Sequence, residues 1–304
     1  MRDALRLSRY GCGIPSRVSS SVRTAEEIGA RYPLACWLNL VCLDAPLVAV
    51  SWQWLFAKTF RVEMSAGDRS ALLLTAWAIY LADRVVDNYS LGRGMPVSLR
   101  QAFCRDHRTG LLNTLFIVAV ADVWVILQAV DRDLYFPGVV CGAAAILYLA
   151  LNARGQLWRV LPMKEVAVGA LFSLGTALVP LTHVAKVNGV VAWSCFLFAA
   201  VCALNCISIA TWECDLDLAQ KKLSIATVFE LPPQTVHTAC AIVALTAAIS
   251  SVSVNSAGWL FAALATSALL LATLAGFGQS MRPDVRTACA DLALLTPWFA
   301  MFAS

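Results

Sequence analysis

Charge is scarce in this sequence. Only 14% of its 304 residues are Asp, Glu, Lys or Arg, where a soluble domain of this length carries about a quarter. That leaves no room for a soluble domain beside the apolar segments. Histidine is scarcer still: His107, His183 and His237 stand too far apart to suggest a zinc site and read as loop or helix-end residues. A strict two-residue alternation is missing, which excludes an outer-membrane β-barrel. No Cys-x-x-Cys pair occurs among the eleven cysteines, which are scattered mostly through apolar segments. Cys202 and Cys206, one helical turn apart, read as small packing residues rather than as a metal site or disulfide. The stretch from Met1 to Tyr32 carries arginines but no apolar core of signal-peptide length. It reads as a basic cytoplasmic tail, partly disordered or interfacial, suited to an anionic leaflet.

What is present is apolar: 60% of the residues are hydrophobic and the mean hydropathy is +0.71. Runs long enough to cross a bilayer recur along the chain. The expected fold is all-α and polytopic, one domain over residues 33–304 with about nine transmembrane helices around a central cavity open to the cytoplasmic side and the lipid. The expected spans are Pro33–Phe56, Ser70–Asn88, Leu111–Val130, Leu134–Leu151, Lys164–His183, Val190–Trp212, Val236–Val254, Ala257–Gly276 and Thr287–Ala303. With a cytoplasmic N-terminus, seventeen Lys and Arg fall on the inside and five on the outside. The positive-inside rule therefore selects this orientation. A multi-pass protein of the cytoplasmic (inner) membrane follows, with the lipid bilayer as a partner and no nucleic-acid partner expected.

Two acidic clusters close two of the spans. Asp83-Arg84-Val85-Val86-Asp87 ends the run from Ser70 to Ala82, and Glu213-Cys214-Asp215-Leu216-Asp217 ends the run from Val190 to Trp212. Carboxylates at membrane depth are costly and usually work in a polar cavity. Spans two and six both run from outside to inside, so both clusters emerge at the cytoplasmic face. Asp83 and Asp87, four apart, share one helix face, and Glu213 and Asp217 repeat that spacing. Asp215 points elsewhere unless the helix unwinds. Like charges one turn apart are tolerable when a cation neutralises them. Magnesium takes one or two carboxylates and fills its remaining positions with water and phosphate oxygens, which points to a diphosphate ligand. The bland reading of either cluster is a solvated, snorkelling helix end.

Other polar residues stand out. Asp44 lies inside span one, followed by Pro46, and could orient an acceptor, take a proton, or pair with a neighbouring helix. Asp122 in span three is a weaker case of the same kind. Asn39, Asn152 and Asn205 are read as hydrogen-bonding between helices. Trp52, Trp54, Trp77, Tyr80, Trp124, Tyr148 and Trp212 suit interfacial belts, or in part a cavity wall that stabilises a cation. Gly169 and Gly175 would allow close approach of a helix or an isoprenoid tail.

From about Pro33 onward the chain resembles the UbiA superfamily of intramembrane prenyltransferases, whose members place Asp-rich motifs on helices two and six. Asp83 and Asp87 match the last two acids of the family's Asn-Asp-x-x-Asp-x-x-x-Asp, and Glu213 and Asp217 match its Asp-x-x-x-Asp with Glu in the first place. Asp291-Leu-Ala-Leu-Leu-Thr-Pro297 is similar to the last helix of bacterial UbiA-like proteins. The family's leading Asn-Asp is replaced by Ile79 and Tyr80. The resemblance implies a Mg²⁺-dependent enzyme acting on an isoprenyl diphosphate. Asp83, Asp87, Glu213, Asp217 and Asp215 would be its metal-holding acids, and Arg84, Lys164 and Arg159 would lie on the diphosphate. Tyr80 and Asp44 would be possible cavity residues. Lys164 serves equally as a positive-inside anchor, Arg154 and Arg159 suit a topogenic role better than closing over a diphosphate, and Lys221 and Lys222 fit either role. Transfer to an acceptor is the expected reaction, with cyclisation of the prenyl chain as the alternative. A lipid or ion-coupled transporter is the reading from another class.

Overall fold

The computed structural model describes residues 32–89, 91–92, 94–154 and 163–302, and every long element in it is a helix. In chain order these are α1 (Trp37–Leu40), α2 (Asp44–Phe60), α3 (Ala66–Tyr89), α4 (Leu99–Asp106), α5 (Arg108–Ala129), α6 (Tyr135–Arg154) and α7 (Lys164–His183). They continue with α8 (Gly189–Trp212), α9 (Cys214–Ala219), α10 (Ile225–Phe229), α11 (Pro233–Ser253), α12 (Gly258–Phe277), α13 (Pro283–Leu292) and α14 (Pro297–Phe302). Nearly all of the expected tail, residues 1–31, and Arg159 lie outside the described residues.

The chain is an all-α, multi-pass membrane protein. Six helices are long and apolar enough to cross a bilayer on those grounds alone, and a seventh span follows if the bent first segment is counted as one. The two remaining expected spans depart from a simple apolar rod. One is α3, which is long enough but carries Asp68, Arg69, Asp83, Arg84 and Asp87. The other is the last segment, which is broken into α13 and α14.

The first span is also broken. Leu34–Leu40 and Asp44–Phe60 meet at 82°, with Cys42 in a left-handed conformation at φ 60°. Asp44 therefore starts a helix rather than sitting inside one. An acid in the first turn suits the helix dipole, and Pro46 is tolerated there because early N–H groups have no helical partner.

Lipid-facing and protein-facing surfaces separate cleanly. Phe116, Ile117, Val120, Trp124 and Leu127 of α5 are exposed, as are Phe136, Val139, Ile146 and Leu147 of α6. So large an apolar surface needs a bilayer around it. The main core gathers where α2, α8, α11 and α12 meet. There Trp52, read from sequence as suited to an interfacial belt, is fully buried with its ring 4.6 Å from that of Phe198. Its indole N–H donates to the Leu294 carbonyl at 2.7 Å. That carbonyl lies in the α13–α14 break, where the backbone lacks helical partners and must find others in a membrane. From the same break the Thr296 hydroxyl donates to the Ala263 carbonyl of α12 at 3.0 Å and ties the two segments together.

Small residues set two close helix contacts. A Cβ on Gly169 of α7 would lie 2.6 Å from the Ala203 backbone N of α8. One on Gly67 of α3 would lie 2.1 Å from the Ala129 carbonyl oxygen of α5. Gly175 faces open space and permits no such approach. Asp122 ties α3 to α5 by accepting from the Thr75 hydroxyl at 2.7 Å, the pairing role among those open to it.

Candidate functional site

The acidic clusters are carried by α3 and by the α8–α9 junction. Asp83 and Asp87 share a face near the C-terminal end of α3. Asn152 of α6 donates from one amide nitrogen to Asp83 Oδ1 and Asp87 Oδ1, each at 3.2 Å. Lys222 Nζ donates to the other oxygen of Asp87 at 3.0 Å. Lys222 reaches α3 because the chain reverses directly before it. Lys221 is left-handed at φ 57°, and the Lys222 N–H closes on the Asp217 carbonyl at 2.8 Å.

Glu213 sits in the one-residue break between α8 and α9 and accepts a charged hydrogen bond from Arg100 of α4. Arg100 is aimed by a short helix, α4, that the hydropathy pattern does not reveal. A capping box of Ser98 and Gln101 starts α4, and Gln101 is tied to Gln220 after α9 at 3.2 and 2.8 Å. Asp217 lies on α9 within the field of Lys164 and Lys222. Burial pushes its carboxyl above the ordinary carboxylate range; Lys164 pulls the other way and Glu213 adds to the rise. Asp215 is exposed, consistent with its two-residue offset. Glu165 at the start of α7 is buried and accepts from the Ile225 N–H at the N-terminus of α10.

Both expected acid pairs thus stand at one end of the bundle, interleaved with cations. Lys164 and Lys222 act electrostatically on Asp83, Asp87 and Asp217. Arg84 lies over the Tyr80 ring, 5.6 Å from its centroid, within the fields of Asp83 and Asp44. No group of three or more His, Cys, Asp or Glu side chains converges as a metal cluster among the described residues. The donor set nevertheless fits one cation at the first pair. Asp83 and Asp87 each present an oxygen to a single point, and that point holds the Asn152 amide nitrogen. Two carboxylates with water and phosphate oxygens make a magnesium site. At the second pair, Glu213 already has Arg100 as its counter-ion.

A larger void, about 440 Å³, is lined mainly by apolar side chains including Val41, Leu43, Trp77, Leu81 and Phe103, and by none of these acids. A small one, about 10 Å³, is lined by Asn39, Arg100, Glu213, Asp284 and Thr287 among others. It has room for about one water.

Comparison with known proteins gives one informative likeness. A UbiA homolog from Aeropyrum pernix K1, solved in its apo form, superposes with a TM-score of 0.54 over 86% of this chain and 98% of that one, at 16% identity. The chain has a UbiA-like fold. No family model matches it, and no curated protein does.

Arg100 is the site residue that sequence reading missed. Among the inside arginines it is set apart by its place two residues after Pro-Val-Ser and beside a Gln three after that Ser, which marks a helix start. Asn152 hydrogen-bonds between helices as expected, and its partners on α3 are the first two acids. Asp291, an acid in the last apolar segment, is a functional candidate on the same grounds as Asp44.

Proposed function

We propose that this chain is a Mg²⁺-dependent UbiA-superfamily enzyme of the cytoplasmic membrane. In this reading it moves an isoprenyl group from an isoprenyl diphosphate to an acceptor, with its N-terminus on the cytoplasmic side. The observation that carries the reading is the juxtaposition of Asp83 and Asp87 with Glu213 and Asp217, threaded by Arg84, Arg100, Lys164 and Lys222. Acids without cations would suit a metal store; cations alone would suit any anion. Their alternation suits a metal-bridged diphosphate, since each base can pass from a carboxylate to a phosphoryl oxygen when metal takes the carboxylate.

Asp83 and Asp87 would hold the metal, with Glu213 and Asp217 opposite. Arg84, Lys164, Lys222 and Arg100 would grip the diphosphate, joined by Arg159, which lies outside the described residues. Magnesium, when bound, supplies charge neutralisation that makes diphosphate a good leaving group. The remaining tasks fall to the bundle. It holds the prenyl chain in an apolar environment and keeps water from the allylic cation.

Cyclisation of the prenyl chain is the second reading, and Tyr80 favours it. Where the family's motif begins with Asn-Asp, this chain offers Ile79 and an aromatic ring whose face already receives the Arg84 guanidinium at 5.6 Å. A ring so turned can stabilise a carbocation.

The test is diphosphate release by detergent-purified protein from geranyl, farnesyl and geranylgeranyl diphosphates, with Mg²⁺ and with EDTA. The expected result is metal-dependent release, abolished in Asp83→Ala/Asp217→Ala. The organic product then separates transfer from cyclisation. No release with any donor, even with a pool of acceptors present, would overturn the enzymatic reading in favour of binding or transport.

A further inference from the structure

A second carboxyl pair lies deeper in the bundle. Asp44, at the start of α2, and Asp291, in the last turns of α13, both accept from the same nitrogen, Asn39 Nδ2, at 2.7 and 2.8 Å. Asn205 of α8 donates to the other oxygen of Asp291 at 2.9 Å. All four side chains are at most 7% exposed. Among the described residues neither acid is in an ion pair. Two acceptors in the group are buried without a partner, Asp44 Oδ1 and Asn205 Oδ1. A structural network would be expected to satisfy its acceptors, because each one left bare inside a bundle costs about 1–3 kcal/mol. Bare acceptors call for something that arrives carrying a proton.

The surroundings connect this pair to the site above. Tyr80 lies within the field of both carboxyls and of Arg84. Cys206 of α8 feels Asp291 together with Asp83, Glu165 and Lys164. Arg100 feels both Asp291 and Glu213, and Cys42 at the α1–α2 break feels Asp44 and Arg84. Asn39, which holds the two carboxyls together, also lines the one-water void shared by Arg100 and Glu213. Asn39 therefore touches both the buried carboxyl pair and the small void that Arg100 and Glu213 also line.

We propose that Asp44 and Asp291 form the proton-accepting pair of this enzyme, taking up through Asp44 Oδ1 the proton that the organic product must lose. The inference rests on the proposed function and adds its last step. The C–O bond of the prenyl diphosphate breaks and its electron pair leaves with diphosphate. The allylic cation takes a π pair from the acceptor or from its own distal double bond, forming a C–C bond. A neighbouring C–H bond then returns its pair to restore the ring or alkene, and that proton goes to the carboxyl pair. No oxidant or second reactant is needed. One proton shared between two carboxyls leaves a single negative charge in the interior, and a second proton neutralises it. Return to the aqueous side passes along the void beside Glu213.

The experiment compares wild type with Asp44→Asn and Asp291→Asn, each checked for a monodisperse peak and a cooperative melt in detergent. Diphosphate and organic product are measured together, and infrared difference spectra follow the protonated-carboxyl C=O band. The expected result is diphosphate release that continues in both variants while the wild-type product falls at least tenfold and the prenyl alcohol from water capture accumulates. The carboxyl band of wild type should shift in D₂O and be lost in Asp291→Asn. If Asp291→Asn does not fold, Asp44→Asn carries the same two readouts. Wild type that releases diphosphate beside variants with an unchanged product and an unchanged band would overturn this inference alone. Wild type that releases none would overturn the proposed function and, with it, the step added here.

Discussion

The ammonium of Lys222 lies 3.0 Å from Asp87 Oδ2 and so joins the turn after α9 to the end of α3. This contact and the Arg100–Glu213 pair place a counter-ion on one acid of each cluster. The site is balanced before any ligand arrives. A diphosphate bound as proposed would exchange partners with these pairs rather than meet bare like charge.

Removing either base should therefore separate substrate affinity from metal affinity. Lys222→Ala is expected to raise KM for the prenyl diphosphate on the order of tenfold, the scale of one charged hydrogen bond at about 1.4 kcal/mol. Arg100→Ala leaves Glu213 without its cation, so apo stability should fall by about 1–3 kcal/mol. Mg²⁺ should raise the Tm of Arg100→Ala more than that of wild type, because a freed carboxylate is a better ligand. Equal Mg²⁺ shifts in the two proteins would count against Glu213 as a metal ligand.

Gly169 and Gly175 make a matched pair of substitutions on one helix. Gly169→Ala drives a methyl to within 2.6 Å of the Ala203 backbone N, so α7 and α8 must part at a cost of about 1–3 kcal/mol. Gly175→Ala meets nothing within 4 Å and should stabilise α7 by up to ~1 kcal/mol through helix propensity. Thermal melts of the two variants in the same detergent should move in opposite directions.

Much of this could be read from the chain before any coordinates, and the physical reason is range. Span positions follow from local apolarity, and the parity of crossings then puts Asp83 and Glu213 on one side. The helix face shared by Asp83 and Asp87 follows from their spacing. What stayed hidden depends on contacts distant in sequence. Asn39 meets Asp291 across 252 positions, and Arg100 meets Glu213 across 113. Cys42, at φ 60°, turns the first span by a backbone choice that its residue type does not announce. Trp52 suits a membrane interface by composition but lies in the core because Leu294 in a helix break needs its N–H.

Asp217 gives the site a pH dependence with a definite sign. Its carboxyl is held above the usual range, chiefly by burial, on a short helix outside the spans. A carboxyl with a raised folded pKa disfavours the folded state once both states are ionised. That penalty disappears as pH falls through the folded pKa toward the unfolded value. Asp217→Asn should therefore melt higher than wild type at neutral pH, and the gap should close on acidification. Melts with EDTA present, so that metal does not mask the effect, should show two Tm curves converging toward low pH. Parallel curves would mean that Asp217 carries no such penalty.

Asn152 offers a gain of function at the first acid pair. Its amide nitrogen is 3.2 Å from an oxygen of each carboxylate, so Asn152→Asp puts a third carboxylate where a donor stood. Without divalent ions three acids would crowd one point, and the variant should be less stable than wild type in EDTA. Three carboxylates also attract a divalent ion more strongly than two. The Mg²⁺ concentration at half-maximal thermal stabilisation should therefore fall several-fold. Asn152→Leu is the control, since it removes the donor without adding a ligand; it should lose apo stability and gain no Mg²⁺ affinity. If Asn152→Asp responds to Mg²⁺ no better than Asn152→Leu, the convergence of Asp83 and Asp87 on this point is a hydrogen-bonded brace and not a metal seat.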